Sequence, residues 1–473
     1  MQPHRQELFL KGPIGTALFR LAIPIVAGNL LQTGYQLTDA FWVGRLGAAA
    51  VAAVSISFPV TFLVIAIGAG LAIAGATLSA QYMGAGRQDM VNHVAAQTML
   101  MVALTSAALG AAGFVCSPYL LKLLGVAPDV YHGALGFMQV SFVGIIFVFI
   151  YAMFQSLMRG IGQTRIPLLI VLGTVLLNFL LDPLFIFGWG PIPACGVKGA
   201  ALATLGTQGL AAFLGIGIFL RGRHGIHLSW RGLRPDPAYI KRAFFLGLPG
   251  SIELSTRGLG PLAMSFLAVS FGTTTIAAYG VGSNILQFVT IPAMGLSMAV
   301  STLVGQNMGA GNPNRAVRVT ILGAFSGFIL LSIVGGIAYI IAPHIVAFFV
   351  PHAADVIAQG GNFIRIMCLT WGAIGVQLCI LSAFRASGNM LMAMVIAIIS
   401  QWLFLFPLAY VLSKHTVLNR AGLWWAFPIT NIAVALVAIA WFAKGGWKKT
   451  RLTDEKRQVA KVADEAIAED GIR

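Results

Sequence analysis

The chain has 473 residues, of which 58% are hydrophobic and only 9% charged, with a net charge of +16. A soluble domain carries nearer a quarter charged residues, so this composition excludes a soluble globular protein and points to a polytopic membrane protein. The basic excess lies mostly in the linkers between apolar runs, where it sets topology, and no stretch is long enough to form a basic nucleic-acid-binding domain.

Twelve apolar runs follow in order: 18–43, 50–80, 92–114, 134–157, 166–188, 199–220, 244–269, 276–305, 317–341, 363–384, 391–412 and 421–443. Each is long enough to cross a hydrocarbon core of ~30 Å as a helix. Helices are required because lipid offers the backbone no hydrogen-bond partners. The charged start (Arg5, Glu7, Lys11, Arg20) precedes a run too long for a cleavable signal. The first span is therefore expected to be its own uncleaved insertion signal.

Only three acidic residues lie inside these runs: Asp39, Asp182 and Glu253. In the first span, Gln32, Tyr35, Gln36 and Asp39 are spaced i, i+3, i+4, i+7 and share one helix face. In the fifth, Thr174, Asn178 and Asp182 share another face, with Pro183 directly after. In the sixth, Thr204 and Gln208 are four apart. Packing spans one, five and six together would gather two carboxylates, an amide oxygen and a hydroxyl. These are hard oxygen ligands suited to Na⁺ or to a shared proton. A mid-bilayer carboxylate costs roughly 2.5–3.5 kcal/mol on insertion scales, and such residues usually face a cavity and carry an ion.

Glu253 and Arg257 stand at i and i+4 in the seventh span. That spacing reads as an intrahelical ion pair near the membrane surface, or as a second carboxylate at a substrate cavity. Asn284 and Gln287 in the eighth span, Gln377 in the tenth and Gln401 in the eleventh are further cavity candidates, with interhelical hydrogen bonding as the other reading. Arg159 and Arg385 are expected to anchor helix ends to headgroups.

Loops on one side carry Arg87, Arg159, Arg165, Arg315, Arg318, Arg385 and the basic linker near 221–242, whereas the opposite loops are poor in Lys and Arg. That asymmetry, with an even span count, predicts both termini in the cytoplasm. An internal repeat is visible. YMGAG at 82–86 matches NMGAG at 307–311, and the same offset of 225 pairs Pro24 with Pro249 and Thr77-Leu78 with Thr302-Leu303. An offset of 226 pairs Ser156, Arg159 and Gly162 with Ser382, Arg385 and Gly388. The prediction is an all-α membrane protein of twelve transmembrane helices, in two six-helix lobes related by a pseudo-two-fold along the membrane normal. The limits are 1–220 for the N-terminal lobe, 221–242 for a cytoplasmic linker, 243–443 for the C-terminal lobe and 444–473 for a solvated cytoplasmic tail.

Cys116, Cys195, Cys368 and Cys379 form no metal-ligand spacing, and the His224/His227 pair has no acid or cysteine nearby. No metal beyond Na⁺ and no cofactor is expected. With no P-loop and no GxSxG, nucleotide-driven transport and serine hydrolysis have no support.

The chain resembles the multidrug and toxic compound extrusion (MATE) family over roughly residues 12–443. The resemblance is carried by LAIP at 21–24, LTDAFWVGRLG at 38–47, the MGAG loops, RGIGQTRIP at 159–167 and LNFLLDPLFIFG at 177–188. It implies a monomeric antiporter of the inner (plasma) membrane that exports amphipathic, often cationic drugs in exchange for H⁺ or Na⁺. It also maps the family's cation site onto Asp39, Asn178, Asp182 and Thr204. One departure is that Arg257 stands where a sodium-coupled branch has a glutamate, which brings the chain nearer the DinF-like branch. A flippase for lipid-linked or lipid substrates keeps the same fold, but would want several cationic cavity residues. A membrane-embedded enzyme would want a His, Cys or acid cluster at one membrane face.

Overall fold

The structure, a computed structural model, describes residues 2–191, 193–230 and 232–453. Arg231 of the predicted linker and residues 454–473 of the predicted tail lie outside the described residues. A short helix α1 (Gln2–Leu10) precedes α2 (Ile14–Gly44), α3 (Ala48–Gly84), α4 (Gln88–Leu123), α5 (Pro128–Gly160), α6 (Arg165–Phe187) and α7 (Val197–Arg221). The second series is α8 (Pro237–Val269), α9 (Thr273–Gly309), α10 (Pro313–Phe349), α11 (Ala354–Cys368), α12 (Trp371–Ala386), α13 (Met390–Ile398), α14 (Phe406–Lys414) and α15 (Arg420–Lys444).

Ten of these spans are long and apolar enough to cross a membrane, and α11 with α12, bent by 50°, make an eleventh. Helix α8 completes the twelve. It is long enough at 33 residues but less apolar, because it holds Lys241, Arg242, Glu253 and Arg257. Helices α13 and α14 form one span through a π-helical turn, Ile399–Leu405. Pro407 follows that turn and has no N–H to give the preceding carbonyls, a common cause of such a register change.

Each series builds a lobe, but the first long helix of each crosses into the other. Ala17, Leu18, Leu21, Ala22 and Ile25 of α2 pack in one core with Leu296, Val300 and Leu303 of α9 and with Leu381 and Phe384 of α12. Tyr239 and Ala243 of α8 pack with Leu71 and Leu78 of α3 and with Phe154 and Leu157 of α5. The exchange occurs at the end of the bundle that carries both termini.

The repeat explains that end. Thr77 Oγ1 and Gln81 Nε2 of α3 donate to the carbonyls of Arg385 (3.4 Å) and Ala386 (2.8 Å). Their repeat partners Thr302 and Gln306 of α9 donate to the carbonyls of Arg159 (3.2 Å) and Gly160 (2.9 Å). The two lobes thus hold each other by the same hydrogen bonds, given in both directions. The first glycine of each MGAG segment makes room for this. A Cβ on Gly84 would strike the carbonyl of Gln306, and one on Gly309 the carbonyl of Gln81. The second glycines, Gly86 (φ +72°) and Gly311 (φ +76°), take the left-handed turn into the next helix. A strap from the C-terminal side adds to the seam: Leu452 N donates to Gln81 Oε1 (2.8 Å), and Arg242 donates to the Leu452 carbonyl (2.9 Å).

Gly84→Val and Gly309→Val should each lower the melting temperature of the purified protein, by similar amounts. A side chain driven against immovable backbone costs about 1–3 kcal/mol. Melting unchanged in either variant would contradict the close approach.

Candidate functional site

The polar faces of α2, α6 and α7 meet inside the N-terminal lobe. Asn178 and Asp182 of α6 are fully buried, while Asp39 of α2 and Thr204 of α7 are half-buried. Asn178 Nδ2 donates to Asp182 Oδ1 at 3.0 Å, which the i, i+4 spacing on α6 dictates. Thr204 Oγ1 donates to Asp39 Oδ2 at 3.4 Å, joining helices 165 residues apart in the chain. Asp39 in turn lies directly against Asp182 and Asn178. The four residues singled out from the sequence therefore form one cluster.

Three oxygens of this cluster, Asp39 Oδ1, Asp182 Oδ2 and Asn178 Oδ1, are buried without a hydrogen-bond partner. Buried acceptors are almost always satisfied, and a buried carboxylate oxygen without a donor is expensive. Three together, two of them on carboxylates, are what a site for a small cation requires: hard oxygen donors, excess negative charge and little water. Pro183 sits one residue past Asp182 and withholds the N–H that would bond the Phe179 carbonyl, which loosens α6 at this depth.

Tyr35 is buried one turn before Asp39, with its hydroxyl 2.8 Å from Thr207 Oγ1. Thr207 was not singled out from the sequence. Its signal was the i, i+3 spacing to Thr204, which places both hydroxyls on the α7 face that meets α2. Thr174, by contrast, spends its hydroxyl on the Val171 carbonyl of its own helix (2.9 Å) and stays outside the cluster.

Other sequence candidates are dispersed. Gln36, Asn284 and Gln287 are exposed. They lie beyond the point where Val26 of α2 packs against Gly295 of α9. The inter-lobe contacts described above all fall on the termini side of that region. Gln32 instead lines a cavity between α2, α5 and α6, together with Gly28, Asn29, Gln155, Arg159 and Thr164.

Two expectations are corrected. Glu253 makes the expected intrahelical ion pair with Arg257, but it is not open to a substrate cavity. It is fully buried, and its Oε1 accepts from Arg257 Nε at 3.3 Å and from Arg385 at 3.0 Å. Arg385 is not a headgroup anchor, because its guanidinium is turned inward to that carboxylate and is only 13% exposed. Arg159 is turned inward too, donating to Ser156 Oγ at 2.6 Å and Gln155 Oε1 at 3.5 Å. In both cases the long side chain finds buried acceptors within reach, which outweighs the expected run to the interface.

The family model MatE matches residues 24–184 and 251–411, one segment in each repeat. Similar curated proteins include the probable multidrug resistance protein YoeA of Bacillus subtilis (strain 168), 29% identical over 91% of this chain and 94% of the relative. The probable multidrug resistance protein NorM of Thermotoga maritima is 27% identical over 93% of this chain and 94% of its own length. The FAD transporter of Shewanella oneidensis is 26% identical over 90% of this chain and 94% of its own length. Among solved structures, a multidrug resistance MATE family transporter of the MOP superfamily in its outward-facing conformation superposes with a TM-score of 0.87. It shares 22% identity, with 94% of this chain and 98% of that chain covered. With both repeats matched by one family model and the two-lobe architecture shared across nearly the whole length, the chain belongs to the MatE family.

Proposed function

We propose that this protein is a secondary active exporter of amphipathic, often cationic compounds, driven by exchange for H⁺ or Na⁺ bound among Asp39, Asn178, Asp182 and Thr204. The observation that carries this reading is the convergence of three partnerless buried oxygens in that cluster. The multidrug resistance names of its relatives agree with the cargo. The arginine-rich loops support an orientation with both termini in the cytoplasm of a plasma-membrane monomer.

Helix α2 couples the two tasks. Its first half is packed in the C-terminal lobe and its second half carries Tyr35 and Asp39 into the N-terminal lobe. A cation that draws Asp39 and Asp182 together relieves their repulsion and shifts α2, and with it the inter-lobe seam. Cargo and cation favour different arrangements, so each displaces the other. The lobes that move are residues 1–220 and 243–443, joined by 221–242.

Proteoliposomes loaded with ethidium, under a pH gradient or a sodium gradient imposed separately, test the reading. One of the two gradients should drive export and its collapse should stop it. Equal export with neither gradient would overturn it.

A further inference from the structure

The two repeats differ at one place where their frame is the same. In the C-terminal lobe, Arg385 is neutralised by Glu253, four residues after Pro249. In the N-terminal lobe the matching arginine is Arg159, and the residue four after Pro24 is Gly28. Arg257, the second base on Glu253, is matched by Gln32. The N-terminal copy therefore has the arginine without the acid. In the acid's place is the cavity lined by Gly28, Asn29, Gln32, Gln155, Arg159 and Thr164. Its lining holds no carboxylate, and Arg159 donates to the neutral Gln155 and Ser156, both on its own helix. A guanidinium has five donors in a planar fork suited to carboxylate or phosphate. Gly28 leaves room, since a Cβ there would meet only a Leu168 methyl at 3.9 Å.

We infer that this cavity binds the anionic group of an amphipathic organic anion, a phosphate or carboxylate held by Arg159 with Asn29, Gln32 and Gln155 as amide donors. The anion takes the place that the Glu253 carboxylate holds in the other lobe. The site is distinct from the cation cluster: Gln32 and Asp39 are seven residues apart, about 10 Å along α2. It also adjoins the closed seam, because the Arg159 carbonyl accepts the Thr302 hydroxyl from the opposite lobe. The protein's ligands thus extend to anionic amphiphiles, whichever cation drives transport.

The test is binding without any gradient, so its failure is separate from failure of the antiport reading. Flavin mononucleotide and riboflavin, which differ by one phosphate, are titrated by fluorescence against the full-length protein in neutral phosphatidylcholine nanodiscs. The mononucleotide should bind about tenfold tighter, the value of one charge-assisted contact. Arg159→Gln should erase that preference and leave riboflavin binding unchanged. Gly28→Glu should erase it too, by supplying the missing carboxylate. It should also melt near the wild-type temperature alone, but clearly lower when combined with Arg159→Gln. Adding phosphatidylglycerol separates two sources of the same chemistry. Loss of mononucleotide binding assigns the site to a lipid headgroup, and retention assigns it to a soluble anion. Equal affinity for the two flavins in the wild type, or a Gly28→Glu melting temperature indifferent to Arg159, would overturn the proposal.

Discussion

Asp39→Asn is expected to reduce gradient-driven efflux to the level of protein-free vesicles while leaving the protein inserted and folded. The substitution keeps the size of the side chain but removes its charge. It also supplies an amide N–H₂ beside Asp182, whose Oδ2 otherwise has no donor. The cluster is then satisfied permanently, in the arrangement that a bound cation produces only part of the time. Exchange needs both arrangements, so the loss should be near complete. Insertion should not suffer, because a mid-membrane carboxylate costs about 2.5–3.5 kcal/mol and its removal relieves that cost. Dye efflux from proteoliposomes at matched protein density measures the effect. Efflux at the wild-type rate would remove Asp39 from the mechanism.

The largest effect on stability is expected at Glu253. Its carboxylate is fully buried and accepts from two guanidinium groups. Glu253→Gln leaves both cations without a counter-charge, and breaking a buried pair from one side costs about 3–5 kcal/mol. The double variant Glu253→Gln/Arg385→Met should recover part of that loss, since the uncompensated charge is what costs most. Thermal unfolding of the purified protein tests both. A double variant less stable than Glu253→Gln alone would mean that Arg385 contributes something other than its pairing.

Spans and polar faces were legible because both are local. The polar stripe on α2 and the Asn178/Asp182 face on α6 are read from 3.6-residue periodicity alone, and packing them together needed only the cost of leaving carboxylates in lipid. Contacts between distant residues were hidden. Arg385 reaches Glu253 across 132 residues, and the local Glu253–Arg257 spacing gave no hint of it. The crossing of α2 into the second lobe is invisible in a run that is apolar on several faces. The MGAG repeat was visible as a match of letters. Its meaning, two glycines that each admit the other lobe's backbone, needed the helices to be placed. The contrast between Gly28 and Glu253 was likewise readable in the alignment of the repeats, but without the cavity it was one difference among many.

The antiport reading rests on one exchange, in which cation and cargo compete through the Asp39/Asp182 pocket. Its most direct test is the equilibrium affinity for ethidium in detergent as pH and sodium are varied separately. Affinity should weaken as H⁺ or Na⁺ rises in the wild type, and should be flat in both Asp39→Asn and Asp182→Asn. A dependence in either variant equal to that of the wild type would place the coupling cation elsewhere.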